Sequence, residues 1–130
     1  FSKETLLEKA KTKKSMIISM GMGGNLNKIK KIFDKNKTLF CYCISEYPLE
    51  IKKIDWKTAI KFDGFSDHTI GIAAPIVFTI LKKIRGSKNI IIEKHVKLPN
   101  SKGPDASSSL DIKKFGEMIL NIRTIEKAKI

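Results

Sequence analysis

The stretch GFSDHTIGIAAPIVFTILKKI, Gly64 to Ile84, changes its pattern partway along. Its start reads as a short strand over Gly64–Ser66, closed by the turn-like DHTIG. From Ile72 to Ile84 the pattern is helical, with Pro75 in the first turn, where a missing backbone N–H is tolerated. Strand, turn and helix in that order make one βα unit. The same unit recurs on either side. Upstream lie SMIISM (Ser15–Met20), the turn GMGG, and a helix expected over Leu26–Lys35 with Asn25 as N-cap. TLFCYCIS (Thr38–Ser45) follows, then EYP and a helical stretch around Trp56–Lys61. Downstream, NIIIEKH (Asn89–His95) leads into the polar loop LPNSKGPDASSS. The last helix is expected over Leu110–Lys127, with Ser108 or Ser109 as cap and Asp111 in its first turn. A helix over Ser2–Lys11 precedes all of this.

Alternating strands and helices imply an α/β fold with a parallel sheet. Apolar runs without polar alternation imply strands covered on both faces. Two architectures satisfy this pattern: a small doubly wound sheet, or part of a (β/α)8 barrel. Four units in 130 residues match half of a barrel of about 250 residues. A first helix with no strand before it suggests chain further upstream, and a first residue other than Met implies a chain that is processed, trimmed or a piece of something longer. Residues 1–130 are therefore expected to form a single partial domain.

Composition narrows the function. A hydrophobic content of 42% with 30% charged residues is that of a globular protein. No apolar run reaches the roughly 20 residues of a membrane span, and the charged start does not read as a signal peptide. A cytoplasmic protein with no membrane partner is expected. The net charge of +13 invites an anionic partner. Yet Arg occurs only at Arg85 and Arg123, and Arg is the residue suited to base edges and phosphate forks. Scattered lysines read as solvated helix faces, so no nucleic-acid partner is expected. Cys41 and Cys43, spaced C-x-C on one strand, are poorly placed for a disulfide and have no second pair for zinc. They read as reduced thiols.

In both architectures, ligands bind beyond the carboxyl ends of the strands. The unusual residues collect there. Ser19 ends the first strand, Ser45 and Tyr47 the second, Ser66 and His68 the third, Glu93 and His95 the fourth. The chain has only two histidines, and both stand at strand ends. Period-two alternation puts Cys43, Ser45 and Tyr47 on one side, Ser66 with His68, and Glu93 with His95. It turns Asp67 and Lys94 the other way. Neutral imidazoles ligate divalent metals, and a site with few protein ligands leaves room for substrate. The plainer alternatives are hydrogen-bonded structural histidines, a Glu93–Lys94 ion pair, and Asp105 as a turn residue.

Taken in order, the segments resemble the sialic acid synthase family, the N-acetylneuraminate synthases with their legionaminic and pseudaminic acid relatives. IISMGM is similar to the family's Ser-Thr-Gly-Met strand end, and CISEYP to its Cys-x-Ser-x-Tyr-Pro segment. GFSDHTIGIAA is similar to its Tyr-Ser-Asp-His-Thr-x-Gly signature. IIEKHVKL and GPDASSSL match its Glu-Lys-His strand and Gly-Pro-Asp loop. The resemblance implies strands five to eight of a (β/α)8 TIM barrel. It leaves the family's N-terminal half barrel and C-terminal antifreeze-like domain outside these residues.

The resemblance also implies an activity. Phosphoenolpyruvate and an N-acylhexosamine, usually N-acetylmannosamine, condense to a nine-carbon sugar acid and phosphate. The cofactor implied is a divalent metal, Mn2+ first, with Mg2+ or Co2+ as alternatives, held by His68 and His95 as a Lewis-acid site. Ser19 and Ser66 match positions that hold the phosphate, and Ser45 a polar contact to phosphoenolpyruvate. Tyr47 and Asp105 match sugar contacts. Glu93 is implied in acid–base or water-orienting work, making Glu93, His68 and His95 the catalytic set. The full-length parent is implied to be a homodimer, and the isolated chain to be inactive. Met20 and Tyr42 depart from the family's usual Thr and His. The competing reading is a non-catalytic half-barrel module that binds a metal or an anion.

Overall fold

A computed structural model describes residues 2–129. The elements alternate as the sequence implies: α1 (Lys3–Lys11), β1 (Met16–Ser19), α2 (Leu26–Ile32), β2 (Thr38–Cys43), a 3-10 turn (Ile51–Lys53), α3 (Trp56–Ala59), β3 (Gly64–Asp67), α4 (Ala73–Ile84), β4 (Ile91–Lys94) and α5 (Ile112–Lys127). The four strands form one sheet in the order β1-β2-β3-β4, every pair parallel. This is a half barrel of the (β/α)8 type. A doubly wound sheet, the other architecture open to the sequence, reverses its strand order at a switch point, and none occurs among the described residues.

Side-chain oxygens set where α1, α2, α3 and α5 begin, while α4 starts after Ile72 without such a cap. Ser2, Asn25, Asp55 and Asp111 accept from the backbone N–H of Thr5, Lys28, Thr58 and Lys114 at 3.2, 3.0, 3.2 and 2.8 Å. The cap of α5 is thus Asp111, not Ser108 or Ser109. Both of those hydroxyls fold back onto the Asp105 carbonyl. Leu110 is held beside β4 by its N–H to the His95 carbonyl at 2.9 Å, so the helix cannot start earlier. Helix α2 stops at Ile32, short of the expected Lys35, and β4 begins at Ile91 instead of Asn89. The Ile91 N–H reaches back to the Asp63 carbonyl, where β3 also starts.

The principal core lies between sheet and helices. Phe65 of β3 stacks on Phe78 of α4 with ring centroids 5.3 Å apart, and Trp56 and Tyr42 close in at 5.9 and 6.2 Å. Leu49, Ile54, Ala59 and Ala74 complete this cluster. Lys82 of α4 is buried beneath it and donates to the Phe62 carbonyl at 2.7 Å, which satisfies a chain end after α3. Burial pulls this ammonium below the usual lysine range, with Asp63 opposing the shift. Among the described residues no helix is long and apolar enough to cross a membrane.

On the inner, concave face the strands approach closely. A Cβ on Gly64 would sit 2.6 Å from Cys41 Sγ, 2.7 Å from Ile91 Cβ and 2.9 Å from the Ile91 carbonyl oxygen. Gly64→Ala is therefore expected to cost about 1–3 kcal/mol, as overpacking of a tight interior does. A urea unfolding midpoint equal to that of the unsubstituted chain would contradict this.

Candidate functional site

The inner face changes character from one end of the strands to the other. Ile17 and Leu39 lie toward the amino-terminal end. Ser19, Cys43, Ser66 and Glu93 follow, and His68 and His95 stand just past the strand ends. Register makes this possible: Cys43 lies beside Ser66, and Ser66 beside Glu93. Alternation then turns all three inward.

A chain of hydroxyls crosses the sheet. Ser19 Oγ donates to Ser66 Oγ at 3.3 Å, and Ser66 in turn donates to Glu93 Oε2. Beyond it sits a group of rings. Tyr47 lies 4.0 Å from His68 and 5.7 Å from His95 between ring centroids, and the two imidazoles are 5.3 Å apart. Ser45 borders the group. Gly21 runs so close that a Cβ there would fall 2.5 Å from Ser45 Oγ and 2.6 Å from Cys43 Sγ. Asp105, from the loop after β4, brings Oδ2 to 3.4 Å from His95 Nδ1. All eight residues singled out in the sequence thus gather at one mouth, at the carboxyl ends of the strands.

Both histidines are held in the same way. The carbonyl of His68 accepts from Leu49 N–H at 2.8 Å, and that of His95 from Leu110 N–H at 2.9 Å. Each segment just past β3 or β4 is thereby paired with a neighbouring extended segment, through the bridges Leu49–Thr69 and Val96–Leu110. The His68 ring is buried, with Nδ1 2.7 Å from the Ile44 carbonyl. A carbonyl only accepts, so Nδ1 carries the proton and Nε2 keeps its lone pair. His95 faces Asp105 through Nδ1, and its Nε2 lies 3.5 Å from Glu93 Oε1. Ligand atoms of His68, Glu93 and His95 lie within 4.8 Å of one another. Two imidazoles, that of His68 anchored through its other nitrogen, beside one carboxylate, are a donor set suited to a divalent ion.

Burial raises the acids around this set. Cys41 is pushed up to about 11 from 9.0, by burial first and then by the Glu93 and Asp63 carboxylates. Cys43 is raised by burial, against which the Ser66 and Ser45 hydroxyls act. Tyr47 is raised by burial, then by Cys43, Asp105 and Glu93. Only the thiolate is a good nucleophile, so at pH 8 maleimide is expected to modify Cys41 after unfolding and not before. Peptide mass spectrometry reads this directly, and rapid native labelling of Cys41 would contradict it.

Some neighbours were not anticipated. Glu93 does not pair with Lys94. Lys94 instead turns to the helix side and binds Asp67, both side chains fully buried, with Nζ 2.7 Å from Oδ2. Parity predicts the direction of both side chains, but their meeting requires the register between β3 and β4. The position of Asp105 beside His95 likewise depends on an irregular loop. Lys97 Nζ holds that loop in place by donating to the Ala106 carbonyl at 2.6 Å.

A parallel half barrel with its polar cluster at the carboxyl ends of the strands defines a (β/α)8-type scaffold. The NeuB family model matches residues 1–129, and the chain belongs to this family. It is 40% identical to the uncharacterized protein MJ1065 of Methanocaldococcus jannaschii, over 94% of this chain and 39% of that protein. It is 35% identical to a pseudaminic acid synthase of Campylobacter jejuni, over 92% and 37% of the two chains. It is 31% identical to the human N-acetylneuraminate-9-phosphate synthase, over 94% and 36%. The chain therefore spans well under half the length of these relatives. Its fold is shared with the N-acetylneuraminic acid (sialic acid) synthetase of Leptospira borgpetersenii, crystallised with citrate. The TM-score is 0.80 at 24% identity, over 95% of this chain and 46% of that one.

Proposed function

We propose that this chain forms the metal-bearing half of a nonulosonic acid synthase pocket. The reaction joins phosphoenolpyruvate to an N-acylhexosamine such as N-acetylmannosamine, giving a nine-carbon 2-keto sugar acid and phosphate. The observation that carries this reading is the convergence of His68, Glu93 and His95 at one mouth in a NeuB-family chain.

His68 and His95 would hold the ion through Nε2, with Mn2+ the first choice and Mg2+ or Co2+ as alternatives. A bound divalent ion supplies Lewis-acid polarisation of the open-chain aldehyde oxygen. The remaining work falls to the protein. Ser19 and Ser66 present adjacent hydroxyls, and phosphate oxygens would take over as their acceptors. Ser45 contacts phosphoenolpyruvate, while Tyr47 and Asp105 face the sugar. The enol electrons of phosphoenolpyruvate form the new bond from C3 to the aldehyde carbon, and the aldehyde oxygen gains a proton. Water then adds at C2, and phosphate leaves with the C2 oxygen becoming the ketone. Glu93, beside Ser66 and His95, is placed to accept the proton of that water. The family resemblance supports a cytoplasmic synthase that acts as a homodimer.

The test is phosphate release by a complete eight-strand barrel that carries this chain as strands five to eight. Release is expected only when hexosamine and divalent ion are both present. Equal release without the hexosamine would overturn the reading.

A further inference from the structure

Asp67 and Lys94 immediately precede His68 and His95 in sequence and are register partners across β3 and β4. Their ion pair lies on the face of the sheet opposite the mouth, and both side chains are fully buried. The same two side chains also grip one further residue. Asp67 Oδ1 accepts from the Thr69 N–H at 2.8 Å, and Lys94 Nζ donates to the Thr69 carbonyl. His68 is therefore bracketed on both sides by residues tied to the strand that carries His95. A buried ion pair is seldom the most stable filling for its space, since apolar residues of similar volume often do as well or better. What apolar residues cannot do is hold the backbone N–H and C=O of Thr69.

We infer that the Asp67–Lys94 pair is a positioning element for the metal centre. It fixes the backbone segments from which His68 and His95 project, and so sets the separation of their imidazoles. The pair touches neither ion nor substrate. This inference rests on the metal reading of His68, Glu93 and His95 given above.

The experiment titrates the chain with Mn2+, following free Mn2+ by electron paramagnetic resonance and thermal unfolding by circular dichroism. Three variants are compared: Asp67→Asn, Lys94→Met, and the double variant Asp67→Leu with Lys94→Met. Each is expected to bind Mn2+ about 10- to 100-fold more weakly, the usual cost of losing an outer-shell support. The double variant is expected to recover the melting temperature but not the affinity, because Thr69 remains unheld. Recovery of both would make the pair a stability element only and overturn the inference. If the double variant fails to fold, Lys94→Met decides, because it removes both the ion pair and the donor to the Thr69 carbonyl, and full affinity in that variant, shown to be folded by circular dichroism, overturns the inference. Failure of the unsubstituted chain to bind Mn2+ overturns the metal reading, and this inference with it.

Discussion

His68→Ala is expected to weaken Mn2+ binding by more than about 100-fold, beyond what loss of a supporting partner costs. Among the described residues, the single group of three metal-capable side chains at this spacing contains His68. Its Nδ1 is committed to the Ile44 carbonyl, which leaves Nε2 aimed at the mouth without any need to select a tautomer. Alanine removes the donor atom and also leaves that carbonyl without its partner. His95 and Glu93 remain, but one imidazole and one carboxylate hold a divalent ion weakly. In a complete barrel the same change is expected to abolish phosphate release. Mn2+ titration against a variant shown to be folded by circular dichroism provides the check. Affinity within about threefold of the unsubstituted chain would sink the metal reading.

Lys94→Met is expected to lower the melting temperature by roughly 10–20 °C. Removing one member of a buried pair strands the other charge, at a cost of about 3–5 kcal/mol, and a domain of this size loses several degrees per kcal/mol. Asp67 would keep its Thr69 contact but lose its only cationic partner among the described residues. The contrast is Lys114, paired with Glu117 at 2.7 Å on the solvent side of α5. Its ion pair is exposed and screened by solvent, and Lys114→Met is expected to leave the melting temperature essentially unchanged. Parallel thermal melts of the two variants measure the difference. A Lys94→Met chain that melts with the unsubstituted protein would overturn this expectation.

The sequence carries the alternation of units and the inward parity of the site, because both depend on spacing along one segment. Ser66 with His68 and Glu93 with His95 are each two residues apart, so their shared side follows from pleating alone. The Asp67–Lys94 contact depends on how β3 aligns with β4, and no local pattern encodes that alignment. The start of α5 illustrates the same limit. Ser108 and Ser109 are good capping residues, but tertiary pairing of Leu110 with His95 delays the helix to Asp111. Lys82 looks like one more solvated lysine in a lysine-rich chain. Only the packing of α4 over Phe62 shows it to be buried.

The order of the sheet is also the order of the chain. Register partners such as Met16 and Thr38, Cys41 and Gly64, or Gly64 and Ile91 are separated by little more than one βα unit. None of the pairings among these four strands waits for a distant segment, so loop-closure entropy remains small at each of them. Assembly can proceed in the direction of synthesis, each new strand finding its neighbour already in place. The metal-capable group would then come together late, when β4 delivers Glu93 and His95 to a surface on which His68 and Ser66 are already set.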